Sequence, residues 1–197
     1  GDGIVSATLA AATVQAQFSH AFGADGAGSI GYNLALTGSN VASGLYAVDP
    51  LAANGQGTQI VLNQVGNVIT GSANGVSYFT LTIDPATGAV TLNLLDNVWH
   101  GNTGSHDDSV SLTLNSGVLT LVQTVTDADG DNAKASIDLG TGGVFRFEDD
   151  GPTAGLATQA PSLGSVKVDE SLPALGGVGG DGIVSATLAA ATVQAQF

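Results

Sequence analysis

Acidic residues alternate with small residues in one short segment, Asp127-Ala128-Asp129-Gly130-Asp131. Ca²⁺ binds six to eight oxygen atoms, and alternate Asp side chains in a tight loop can converge on one ion. The segment differs from an EF-hand loop, because Gly is at its fourth place rather than its sixth and no Glu follows at the twelfth. Asp and Gly are also common in ordinary hairpin turns. The local sequence therefore leaves two interpretations open, a calcium site and a simple turn.

Two further acidic clusters lie on either side of a Gly-, Pro- and Ser-containing stretch. Glu148-Asp149-Asp150 precedes this stretch, Asp169-Glu170 follows it, and Lys167 is the only base nearby. Adjacent carboxylates repel one another unless a cation neutralises them. Two interpretations of these clusters stay open, a cation clamp that stiffens a domain junction and a solvated acidic hinge.

Catalytic motifs are missing from the sequence. It contains no G-x-S-x-G elbow and no phosphate-binding loop. The triplet His106-Asp107-Asp108 could contribute to a metal site, but no second histidine stands beside it at a ligand spacing. We therefore expect a protein that is not an enzyme.

The amino-acid composition limits the classes of molecule that the protein is expected to bind. The 197 residues include 17 Asp and Glu but only 3 Lys and Arg, which gives a formal net charge of −14. Nucleic acids and anionic membranes attract basic proteins, so neither is expected as a partner. The absence of Cys excludes disulfides and Cys-ligated zinc. No apolar run suits a membrane-spanning helix, and no signal peptide opens the chain, so we expect any export signal elsewhere in a parent protein.

The sequence repeats itself. Residues 180–197 are identical to residues 1–18 at all 18 positions, with an offset of 179 residues. This period is much longer than the 20 to 50 residues of solenoid repeats, so each unit is expected to be a whole domain. We assign residues 1–150 to the domain body, 151–167 to a linker and 168–197 to the start of the next copy. The expected partners are neighbouring identical repeats, and the duplicated tail could be exchanged between molecules as a swapped segment.

The elements that must position the acidic residues are short strands separated by turn signals. An all-β fold is predicted, a β-sandwich (Ig-like or related) of roughly ten strands. The expected strands are 29–36, 44–48, 58–63, 67–70, 76–83, 89–94, 109–114, 118–126, 133–139 and 144–148. Residues 7–17 favour a short helix or irregular segment and a strand equally, because Ala, Leu and Gln favour helix whereas Thr8, Thr13 and Val14 favour strand.

One family resemblance covers nearly the whole period. The segments that carry it are GADGAGSIGYNLAL (23–36), TLTIDPATGAVTL (80–92), VTDADGDNAKASIDL (125–139), FEDDGPT (147–153) and VDESLP (168–173). In this order they resemble the repeat domains of giant RTX adhesins, which bacteria export by type I secretion. The resemblance implies an extracellular extender that projects a distal ligand-binding region from the bacterial cell surface, as in biofilm adhesins, with Ca²⁺ at its domain junctions. The calcium ligands that it implies are Asp127, Asp129, Asp131, Glu148, Asp149, Asp150, Asp169 and Glu170.

A binding module for a glycan or another protein is the alternative function. Glycan sites usually expose aromatic side chains, and Trp99 beside His100 is the only plausible platform in this chain. A Trp in the core is the competing interpretation of this residue.

Overall fold

The structure is a computed structural model, and it describes residues 4–105, 107–152, 154–157, 163–167 and 186–197. Within these residues the chain has 11 strands and two helices of five residues each, which confirms the all-β prediction. The strands are β1 (Ser6–Leu9), β2 (Ala27–Leu36), β3 (Val41–Val48), β4 (Gln56–Val65), β5 (Val68–Ala73), β6 (Val76–Ile83), β7 (Val90–Leu94), β8 (Ser109–Ser111), β9 (Leu119–Asp127), β10 (Asn132–Asp138) and β11 (Arg146–Glu148). The helices are α1 (Ala11–Gln15) and α2 (Ala190–Gln194). The chain forms two compact units, Gly1–Gly151 and Pro152–Phe197.

The larger sheet is an antiparallel meander. Strands β3 to β7 pair with their neighbours in chain order, and β1 joins the sheet beside β7. The turn between β6 and β7 shows why the meander folds back so tightly. The Asp84 carboxylate accepts the N–H of Ala86, and Gly88 adopts a φ of 79° that most residues avoid.

A second layer packs against this meander and completes the sandwich. It contains the three-stranded sheet β10-β9-β2 and the two-stranded sheet β11-β8, and β2 lies against β4, β5 and β6. One hydrophobic core fills the space between the layers, with Leu34, Ile60, Phe79 and Leu121 almost fully buried in it. The buried Gln123 amide donates to the Tyr32 hydroxyl at 3.0 Å, so its polar atom is satisfied inside the core.

Strand β8 ends earlier than the alternating sequence of residues 109–114 predicts. The N–H groups of residues 112 to 114 bond to three separate segments, namely to the carbonyls of Phe145, Ser43 and Gly140. Because no single strand accepts these bonds, the segment leaves the regular ladder while Leu112 and Leu114 stay in the core.

The opening segment contains both elements that its composition favours. Strand β1 pairs with β7, and helix α1 follows after one residue. Val14 of the helix is 1% exposed, and the Gln15 amide donates to the Thr87 carbonyl at 2.9 Å. Residues 4–18 are therefore docked on the body.

No helix within the described part of the chain has the length and apolar character needed to cross a membrane.

Candidate metal centre

Three carboxylates converge at one end of the three-stranded sheet. Each of Asp25, Asp127 and Asp129 offers a ligand oxygen, and these atoms lie within 4.8 Å of one another. Two oxygens bound to the same Ca²⁺ are at most about 5 Å apart, since each Ca–O bond measures about 2.3–2.6 Å. The spacing therefore fits one calcium ion, which would need further oxygens from water or backbone carbonyls.

Strand pairing brings these three residues together. Asp127 is the last residue of β9 and pairs with Ala27 at the start of β2, so Asp25 lies just outside the same end of the sheet. The pairing is irregular between Ala27 and Ser29. A side chain at Gly28 would overlap the Asp127 and Thr126 carbonyls, so only glycine permits this close approach of the two strands.

The turn from β9 to β10 holds the two central carboxylates. The Asp127 N–H donates to the Asp131 carbonyl at 3.0 Å, and the Gly130 N–H donates to the Asp127 carboxylate at 3.2 Å. Gly130 has a φ of 103°, which strains any side chain larger than hydrogen. The Asp131 N–H donates to the Asp129 carboxylate at 3.4 Å. The turn is thus a preformed loop with its acidic side chains already oriented.

The electrostatics of the loop favour a charged Asp129. The hydrogen bond with the Asp127 side chain lowers the pKa of Asp129 below its ordinary value, and the Asp131 backbone N–H lowers it further. Asp25 and Asp129 are exposed and Asp127 is half-buried. None of the three residues is fully buried, so the cluster lies at the surface of the body.

The structure brings together only part of the predicted ligand set. Asp127 and Asp129 are in the cluster, whereas Asp131 contributes backbone bonds to the turn and is not one of the three converging carboxylates. Asp25 was not predicted, because it lies about a hundred residues before Asp127. Its Asp25-Gly26 pair repeats the Asp129-Gly130 pair and is the one local signal that could have suggested it.

The other predicted ligands lie elsewhere. Glu148, Asp149 and Asp150 follow one another at the end of β11 and line a cleft in the body. They form no three-ligand group in the described ranges, where Asp25, Asp127 and Asp129 are the single such cluster. Asp169, Glu170 and His106 are outside the described residues, so their assignments stay predictions.

Comparison with known proteins gives one match. The family model described as "Domain of unknown function (DUF5801)" matches residues 3–140. No curated protein and no solved structure matches the chain. The matched range includes the opening segment, nearly all of the sandwich and the three converging carboxylates.

Proposed function

The chain belongs to the DUF5801 family, and on that premise we propose that it is an extender repeat of a calcium-stiffened bacterial cell-surface adhesin. Such a repeat adds length between the cell and a distal ligand-binding region. In this role the repeat would bind cations that stabilise the body and the junction to the next copy.

The observation that carries this proposal is the verbatim recurrence of 18 residues after 179 positions. A spacer gains reach from each added copy, whatever the surface of that copy presents. The matched family and the sandwich fold agree with a repeat unit of domain size. The resemblance of residues 23–36, 80–92 and 125–139 to adhesin repeats is the reason for proposing a location at the bacterial cell surface.

The converging carboxylates of Asp25, Asp127 and Asp129 support the calcium part of the proposal. An ion held by them would connect the residues before β2 with the end of β9, two segments that are far apart in sequence. Binding to the folded state alone stabilises it by RT ln(1 + [L]/Kd), which is ~2.7 kcal/mol at a hundredfold excess over Kd. Extracellular calcium would therefore stabilise the body.

The end of the body is the proposed site of junction stiffening. β11 pairs with β8, and the Asp149 N–H donates to the Asp108 carbonyl at 2.9 Å. Glu148 therefore ends a paired strand, and Asp149 and Asp150 follow it directly. Pro152 comes two residues later. Charge repulsion among adjacent carboxylates would be relieved by a cation, and the hinge would then lose freedom.

Small-angle scattering of a protein of two repeats tests the proposal. With calcium, the maximum dimension should exceed the value measured in chelator. Asp149→Asn/Asp150→Asn keeps the side-chain shape, removes two charges and should bring the dimension in calcium towards the chelated value. Asp96→Asn/Asp131→Asn removes two charges elsewhere and serves as the matched control. Equal dimensions with and without calcium in the unmodified protein would show that the junction is not stiffened by this ion.

The environment of Trp99 supports a packing role in preference to a glycan platform. Its indole N–H donates to the Asn54 carbonyl at 2.9 Å, and its ring meets Tyr46 edge-on with centroids 6.2 Å apart. A side chain at Gly101 would collide with the ring, so the backbone lies directly against it. These contacts fix the indole and leave it only half-exposed.

A further inference from the structure

The opening segment, residues 4–18, occupies a defined surface of the body. Its strand β1 pairs antiparallel with β7, and polar side chains match across the two strands. The Ser6 hydroxyl donates to the side-chain oxygen of Asn93 at 2.8 Å. The hydroxyls of Thr8 and Thr91 lie 3.0 Å apart and share a hydrogen bond. Cross-strand pairs of this kind stabilise one register of the two strands.

Helix α1 supplies the apolar part of the contact. Val14 is almost fully buried and lies against Gly88, where an added Cβ would be 3.1 Å from a methyl group of Val14. Leu9 and Phe18 are half-buried and pack against the hydrophobic core. The ring centroids of Phe18 and Tyr32 are 6.2 Å apart. We define the docking surface as strand β7 together with Gly88 and Tyr32.

The opening segment can leave the docking surface without breaking up the sheet. In the described part of the chain, β1 lies at the edge of its sheet, with β7 as its neighbour. Residues 16–26, which connect α1 to β2, contain no helix or strand. An edge segment joined through such a loop can be exchanged between identical chains, because the same contacts form again in the exchanged state.

The sequence that fits the docking surface is present a second time. Residues 183–197 repeat residues 4–18 without a change. Helix α2 follows Ala189, which has φ −61° and ψ 138°, and helix α1 follows Ala10, which has φ −63° and ψ 145°. The helical part of the second copy therefore already has its docked conformation, so its binding costs little ordering of the backbone.

We propose that the docking surface of one molecule binds residues 183–197 of a second molecule of this chain, which replace its own opening segment. Val193 would then lie against Gly88. Thr187 would lie opposite Thr91 on β7. Between two tandem arrays, this exchange would form a non-covalent cross-link. The inference goes beyond the extender role, and the docking surface contains none of the carboxylates proposed to bind calcium.

Disulfide trapping tests the exchange, because the chain contains no cysteine. The acceptor chain carries Thr91→Cys, together with Val14→Asp and Val193→Asp, which weaken the docking of both of its own segments. The donor chain carries Thr187→Cys alone. The two chains are mixed in chelator with reduced and oxidised glutathione. We expect a disulfide-linked heterodimer, since Thr187 would take the place that Thr8 has beside Thr91.

Matched variants distinguish docking from random collision of the two cysteines. Adding Val193→Asp to the donor should lower the yield of heterodimer at least about tenfold, because a charge would replace the buried valine. Thr58→Cys, at an exposed position of β4, replaces Thr91→Cys in a control acceptor and should give a similarly low yield. A yield that stays the same in either control would overturn the proposal.

A peptide titration gives a measurement that needs no disulfide. A labelled peptide with the sequence of residues 183–197 is titrated with the chain carrying Val14→Asp and Val193→Asp, and its fluorescence anisotropy is followed. The anisotropy should rise to saturation, and the same peptide with Asp in place of its valine corresponding to Val193 should bind at least about tenfold more weakly. If circular dichroism shows that the acceptor is unfolded, the unmodified chain replaces it in both experiments, with longer incubation. Failure of both peptide binding and disulfide trapping would overturn the proposal. Because both are measured in chelator, such a failure is distinguishable from an absence of calcium-dependent stiffening.

Discussion

Val14 and Val193 occupy the same position in two helices of identical sequence, yet only Val14 is buried. Val14 is 1% exposed, whereas the second helix has no buried residue. The sequence AATVQ is therefore helical in both units, and burial depends on what surrounds the helix. In the first unit the surroundings include Gly88, where an added side chain would meet Val14 and Tyr32 closely.

This pair of valines provides a matched stability test. Val14→Asp would place a charge in the core or detach the helix from the body, so the free energy of unfolding should fall by about 3 kcal/mol. Val193→Asp makes the same chemical change in the same local sequence and should alter that free energy by less than about 0.5 kcal/mol. Chemical denaturation monitored by Trp99 fluorescence measures both. A comparable loss in the two variants would mean that the second copy is packed as firmly as the first.

Calcium removal tests whether Asp25 or Asp131 is the third carboxylate that binds the ion together with Asp127 and Asp129. At millimolar calcium the melting temperature should rise by several degrees above its value in chelator. Asp25→Asn and Asp129→Asn should each remove much of this increase, because both supply an oxygen to the same cluster. Asp131→Asn should retain it, since its carboxylate is outside the cluster. Differential scanning calorimetry gives the melting temperatures, and a larger loss in Asp131→Asn than in Asp25→Asn would reverse the assignment.

Asp138 should make stability depend on acid pH. The Gly117 N–H donates to its carboxylate at 2.6 Å and holds the pKa of Asp138 below its ordinary value of 3.8, with added hydrogen bonds from Gly140 and Thr141. A lowered pKa in the folded state stabilises the protein above the ordinary value, and this contribution is lost as the pH falls through the lowered pKa. Asp138→Asn should therefore destabilise the protein at about pH 7 and differ less from the unmodified protein below about pH 3. Urea denaturation at the two pH values measures the free energy of unfolding of Asp138→Asn and of the unmodified protein. The same difference between the two proteins at both pH values would contradict the prediction.

Gly71 should tolerate no side chain. A Cβ at this position would overlap the ring of Phe79, which is fully buried on the neighbouring strand. Gly71→Ala should lower the free energy of unfolding by about 1–3 kcal/mol, because the core would have to move to admit the methyl group. Gly31→Ala is the control within another strand, where the nearest atom to the added Cβ is 3.9 Å away. It should be neutral or slightly stabilising, and a thermal melt compares the two variants.

The sequence predicted the local features of this fold better than the remote ones. The hairpin at residues 84–88 was identified because Pro85 and Gly88 fix a turn between two alternating segments, and β6 begins and ends where the alternation does. Strand β8 was predicted too long, since alternation at 109–114 gives no information about which segments accept the hydrogen bonds. Asp25 was missed for the same reason: only the pairing of β2 with β9 brings it beside Asp127.

The pairing of β2 with β9 also sets an order of folding events. Strands β3 to β7 find their partners in the next stretch of chain, so their contacts are local and should form early. Tyr32 is opposite Gln123, which lies 91 residues later, and Ser6 is opposite Asn93. Closing loops of this length costs more conformational entropy, and β2 and the opening segment should therefore be the last parts of the body to gain protection from hydrogen exchange.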